Sequence, residues 1–196
     1  LHEPVLTLLD SDASSARKYA AEYARAHARD MALDALIRHA NNSEEAVRKM
    51  ARDLLRARDP RKDVGLEGWG RLLGTGYGHD LAVEALSKHF GAKELTTSWF
   101  TDRLCSGDRQ VVDFAAGLLP RVHPFKKLGV AFFQTLIDDP RLGRRGARFA
   151  LDALETFKID SLELDVTRRL LLNPATAGRA RGWVEAERVK AADLGI

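Results

Sequence analysis

The nine residues Val47-Arg48-Lys49-Met50-Ala51-Arg52-Asp53-Leu54-Leu55 decide the reading of this chain. Apolar side chains fall at 47, 50, 51, 54 and 55 with Arg, Lys and Asp between them, the spacing of a single buried stripe on a helix of 3.6 residues per turn. The same stripe recurs outward in both directions. Upstream it reads Ala16, Tyr19, Ala20, Tyr23, Ala24, and downstream Gly78, Leu81, Ala82, Ala85, Leu86 in a weaker copy. Further on come Val111, Phe114, Ala115, Leu118, Leu119 and Gly146, Phe149, Ala150, Ala153, Leu154. A sixth copy starts with Ala180, Trp183, Val184 and turns polar at Glu187 and Arg188. The stripes begin 31, 31, 33, 35 and 34 residues apart, and the third stripe residue of copies one to five is always alanine: Ala20, Ala51, Ala82, Ala115, Ala150. Unrelated amphipathic helices would share the stripe but neither its interval nor that alanine, so the pattern is an internal repeat.

Between the stripes lies a second apolar segment ending Leu36-Ile37, Leu72-Leu73, Leu104-Cys105, Leu136-Ile137 and Leu170-Leu171, which makes each repeat a helix pair. Asp12, Ser43 and Thr176 stand four residues ahead of their stripes as expected N-caps, and Asp139-Pro140 is expected to cap and open a helix. His123-Pro124 is expected to separate two helices. No β-branched alternation is long enough for a strand. One helix pair cannot enclose its own stripe, so neighbouring copies must supply the missing walls. The expectation is an all-α chain: a right-handed α-solenoid of about five to six pairs in a single domain over 1–196, with copies near 10–40, 41–73, 74–105, 106–138, 139–172 and 173–196. Glu187, Arg188, Lys190 and Asp193 read as a polar end cap, whereas Leu1 to Leu9 reads as half of a preceding repeat, so the domain is expected to be cut from a longer chain.

Stripes such as VRKMARDLL, VVDFAAGLL and GARFALDAL, set after Ser- or Asp-containing turns, resemble HEAT repeats of the armadillo/HEAT superfamily over about Asp10 to Lys190. The resemblance implies a solenoid whose second helices line a concave binding face.

Composition narrows the classes without choosing a function. The 196 residues are 45% apolar and 30% charged, enough to bury a core, and the net charge of +3 is too small to identify a nucleic-acid or membrane protein. No segment has the length of a membrane span. The single cysteine, Cys105, rules out an internal disulfide framework and points to a reducing compartment, with the cytoplasm as the expected location. Histidines 2, 27, 39, 79, 89 and 123 form no recognised ligand spacing, so no metal is expected. Gly74-Thr75-Gly76-Tyr77-Gly78 lacks the lysine and the preceding strand of a phosphate loop and reads as an inter-helix loop. Neither a cofactor nor a catalytic set is expected.

What stands out is basic. Immediately before the second apolar pairs stand Ala35, Arg71, Arg103, Thr135 and Arg169, a column that reads as a ladder of guanidinium groups helped by Lys126, Lys127 and Arg168. Charge also concentrates late: residues 120–196 carry 14 basic against 10 acidic side chains, with Arg141, Arg144, Arg145 and Arg148 crowded at one helix start as possible phosphate ligands. Trp69 and Trp99, with Arg71 and Arg103, are candidate anchors for a protein or acidic-peptide partner. The leading expectation is a non-catalytic scaffold, and the alternative is nucleic-acid binding along the same arginines. A third reading follows from resemblance to HEAT-like DNA alkylpurine glycosylases, in which Trp99, Asp102, Arg144 or Arg145, and Trp183 would serve base excision. Trp99 and Asp102 depart from that family's signature spacing, and Trp183 falls in a core column shared with Tyr19, Met50, Phe114 and Phe149.

Overall fold

A computed structural model describes residues 2–157, 164–172, 174 and 176–185. Among these the chain is all-helical with no strand, and no helix is long and apolar enough to cross a membrane. The stripes lie on α2 (Ser14–His27), α4 (Glu45–Arg56), α6 (His79–His89), α8 (Arg109–Val122), α10 (Arg144–Leu154) and α12 (Ala177–Glu185). The intervening segments form α3 (Leu33–Ala40), α5 (Gly65–Leu73), α7 (Thr97–Leu104), α9 (Phe125–Asp138) and α11 (Leu164–Leu172). A short α1 (Glu3–Leu6) runs into a 3-10 turn, Thr7–Asp10, and a π-type turn, Pro60–Val64, leads into α5. The end-cap residues 187, 188, 190 and 193 and the Trp183 side chain lie outside the described residues.

Ala20, Ala51, Ala82, Ala115 and Ala150 each expose 0% of their surface. A methyl side chain lets a neighbouring helix axis approach closely, and α2 packs on α4 while α8 packs on α10. Around the alanine of α4, Val47, Met50, Leu54 and Leu55 are buried, each contributing roughly 1.5–3 kcal/mol relative to exposure. Tyr19 departs from its column and is 58% exposed, because α2 buries the line through Ala20, Ala21 and Ala24 instead.

The chain divides into two compact units, 1–94 and 95–196, and the cut falls inside the copy expected at 74–105. The reason is that the tightly packed pairs join a second segment to the stripe after it: α3 with α4, α5 with α6, α7 with α8, α9 with α10, α11 with α12. Their turns, 41–44, 74–78, 105–108 and 139–143, are four or five residues long, whereas the joints 28–32, 57–64 and 123–124 vary freely. Consecutive helices thus pack as hairpins, and α4 packs on α2 as extensively as on α3.

Helix punctuation follows a different rule from the expected caps. Arg17 and Arg48, each one residue after the first stripe position, donate through Nη1 to the carbonyls of the preceding turn: Ser11 and Asp12 at 2.6 and 2.9 Å, Asn42 and Ser43 at 2.8 and 2.6 Å. Asp12 and Ser43 therefore contribute main-chain acceptors rather than side-chain caps, and Thr176 donates its hydroxyl to the Leu170 carbonyl at 2.6 Å. True side-chain caps are Thr96, which accepts from the Trp99 amide, and Asp108, which accepts from the amides of Gln110 and Val111. Asp139 caps the turn through the Arg141 amide, and α10 begins only at Arg144, so Pro140 is a turn residue. His123-Pro124 does separate α8 from α9.

Two glycines are set by geometry. Gly129, at φ 72, breaks α9 after its first turn and seats the Phe125 ring edge-on to Phe133 and Phe149, with centroids 5.1 and 5.9 Å away. A Cβ on Gly146 would stand 2.6 Å from the Leu104 carbonyl oxygen, so the absence of a side chain lets α10 touch the end of α7.

Candidate interaction surface

The expected arginine ladder is largely neutralised within the protein. Arg71 on α5 reaches back to Asp34 on α3 at 2.6 Å, and Arg169 on α11 reaches Asp138 on α9 at 3.0 Å. Arg103 lies over the Trp99 ring, 5.1 Å from its centroid. Thr135 donates to its own helix at Ala131. Arg71 and Arg169 tie one second-segment helix to the one before it, whereas Arg103 stacks on a ring of its own helix.

Both tryptophan anchors are interior. Trp69 is 2% exposed and donates its indole N–H to the Pro60 carbonyl at 3.0 Å, which fixes the π-type turn against α5. Trp99 is 8% exposed and packs edge-to-face on Phe100 at 5.1 Å. Large rings on short amphipathic helices are drawn into the apolar interior, where they remove the most surface from water.

The late arginine cluster splits in two. Arg141 is held by Asp139 at 2.8 Å and by Asp102 at 3.1 Å, and Arg145 by Asp113 at 2.8 Å. The doubly bonded Arg141 keeps the Asp139 carboxyl down at about 2, through its guanidinium first and its amide second. Burial, reinforced by that carboxylate, pushes the Cys105 thiol up to about 11, which suits an inert core cysteine. Lys126, Lys127, Arg144 and Arg148 are exposed and make no hydrogen bond or ion pair among the described residues. All four belong to the α9/α10 hairpin, the lysines in the first turn of α9 and the arginines in the first turns of α10.

Of the glycosylase constellation, Asp102 is engaged by Arg141 and the Trp99 ring is buried under Arg103, while the Trp183 side chain lies outside the described residues. The glycine loop has no open cradle of amides either: the Tyr77 amide donates to Asn41 Oδ1, the Gly78 amide donates to Thr75 Oγ1, and the Tyr77 ring carries the Arg48 guanidinium at 4.2 Å. Histidines serve the scaffold, His79 bonding the Leu73 carbonyl and His123 the Leu95 carbonyl, each at 2.7 Å. Among the described residues no three His, Cys, Asp or Glu side chains gather in a way that could hold a metal ion.

Sequence reasoning missed the acidic halves of the lacing. Arg25 meets Asp53 at 3.1 Å and Arg56 meets Glu84 at 3.0 Å, equivalent positions in successive stripe helices. Both pairs are separated by 28 residues, a recurrence visible in the sequence once opposite charges are compared at nearly one repeat's distance. Comparison with family models, with curated proteins and with solved structures yields no match to this chain.

Proposed function

We propose that the chain is a right-handed α-solenoid of five to six HEAT-like helix pairs that acts as a non-catalytic scaffold, presenting a concave helical surface to an acidic segment of a protein partner. The observation that carries this reading is the division of labour among cations. Arg25, Arg56, Arg71, Arg145 and Arg169 are spent on carboxylates of neighbouring helices, while the side chains of Lys126, Lys127, Arg144 and Arg148 stay unpaired together on one hairpin. Repeating pairs that contact mainly their neighbours, with the same alanine buried in each, support the solenoid architecture.

Small-angle scattering tests the architecture: a compact domain of this length has a radius of gyration of about 16 Å, and a stacked solenoid must exceed it. Binding is tested with a fluorescent polyglutamate peptide against wild type and the variant Lys126→Glu, Lys127→Glu, Arg144→Glu, Arg148→Glu. The peptide should bind wild type at low salt and be lost from the variant while melting is unchanged. Equal binding by both proteins, or by neither, would remove the reading. The same cations favour nucleic acid as a second reading, for which duplex DNA should replace the peptide with a log–log salt slope of up to about −3.6 for four phosphate contacts.

A further inference from the structure

Inside the first unit, the α1 segment and its 3-10 turn stand beside α3 around an open cavity of about 450 Å³. His39 forms part of its wall. The ring is 3% exposed, yet Nδ1 has no hydrogen-bond partner. Asp10 Oδ1 stands 4.0 Å from it, too far for a direct hydrogen bond. The other Asp10 oxygen is already taken by Arg38 at 3.1 Å, so Oδ1 remains available toward the imidazole. A nitrogen about 2.8 Å from both atoms would see them at roughly 90°, about 20° inside the tetrahedral angle of an sp³ ammonium and within the bending two hydrogen bonds tolerate.

Charge and shape restrict what that donor is. Glu3, Asp10 and Asp30 outnumber Arg38 around the cavity, which favours a cation. Leu6, Leu9 and Met31 provide an apolar side for an aliphatic stem. We propose that this cavity is a binding site for an alkylammonium ion, a primary amine on an aliphatic stem that donates to His39 Nδ1 and Asp10 Oδ1 together. Burial lowers the His39 pKa, against the pull of Asp10 and with the help of Arg38, so the ring is neutral at neutral pH and has a lone pair to offer. His2, also at the cavity, is occupied by the Tyr23 hydroxyl at 3.0 Å.

The test is nitrogen-15 NMR of the histidine rings in the intact chain, titrated with cadaverine as a free amine, with a doubly blocked lysine as a peptide side chain, and with pentanol as an uncharged control. At least one amine should shift the His39 ring, and Asp10→Asn, at an exposed residue outside the packed stripes, should weaken its binding by about tenfold or more. Response to cadaverine alone identifies a free amine as the ligand, and response to the blocked lysine identifies a protein side chain. The proposal fails if neither amine moves the His39 resonances at about 20 mM, if pentanol matches them, or if Asp10→Asn binds as wild type does.

Discussion

Replacing Gly146 and Gly117 by alanine makes one chemical change in two helices of the same kind and should move stability in opposite directions. In α10 the new methyl of Gly146→Ala would stand 2.5 Å from Leu142 Cδ1 and 2.6 Å from the Leu104 carbonyl oxygen. The leucine can rotate, but the carbonyl belongs to the last turn of α7 and must retreat by about 0.8 Å to reach ordinary contact. Overpacking of this kind costs about 1–3 kcal/mol, and the helical preference of alanine over glycine returns at most about 1. The net expectation is a loss of about 1–2 kcal/mol. At Gly117, in the interior of α8, nothing lies within 4 Å of the added carbon, so the propensity gain of about 0.5–1 kcal/mol stands alone. Urea unfolding followed by far-ultraviolet circular dichroism should therefore separate the two variants by about 1.5–3 kcal/mol. If Gly146→Ala is as stable as Gly117→Ala, α10 does not approach the end of α7 as described.

Other expectations follow from the lacing and the core. Arg71→Gln and Arg169→Gln should each cost less than about 1 kcal/mol in thermal unfolding, because both pairs are exposed, and neither should weaken peptide binding; a large loss of binding would return them to the ligand surface. Trp69→Phe should destabilise by about 1–3 kcal/mol in urea melts, since it removes one of the two donors to the Pro60 carbonyl, leaving the Gly65 amide, and trims a side chain that is almost wholly buried. Asp139 titrates near 2 when folded and near 3.8 when unfolded, so its contribution is complete above about pH 4 and disappears as pH falls toward 2. The penalty of Asp139→Asn, no more than about 2 kcal/mol after solvent screening, should accordingly shrink over that interval; a penalty independent of pH would disconnect it from Arg141.

The helices and their buried alanines were legible in the sequence because stripe period and residue size are local signals, carried by Val47 to Leu55 without reference to anything distant. Pair phase was less accessible. Joint 28–32 is five residues long, the same as turns 74–78 and 139–143, so length alone does not tell a joint from a turn. The binding candidates fared differently for a physical reason. Arg71 looks available until its partner is known, and Asp34, 37 residues earlier, leaves no mark near it. Trp69 and Trp99 carry polar N–H groups that suggest surface anchors, but their apolar area outweighs that single donor. The His39 cavity has no motif at all, since it arises where the short 3-10 turn meets α3.

The contrast between constant turns and variable joints also bears on how such a chain can grow. A duplication whose breakpoints fall in joints like 57–64 copies a closed hairpin, complete with its alanine, and the newcomer can be seated against an existing neighbour. Breakpoints within the four- or five-residue turns would instead strand a single helix with its oily side uncovered. Lengthening by whole hairpins is thus the inexpensive route, and drift in repeat length collects in the joints.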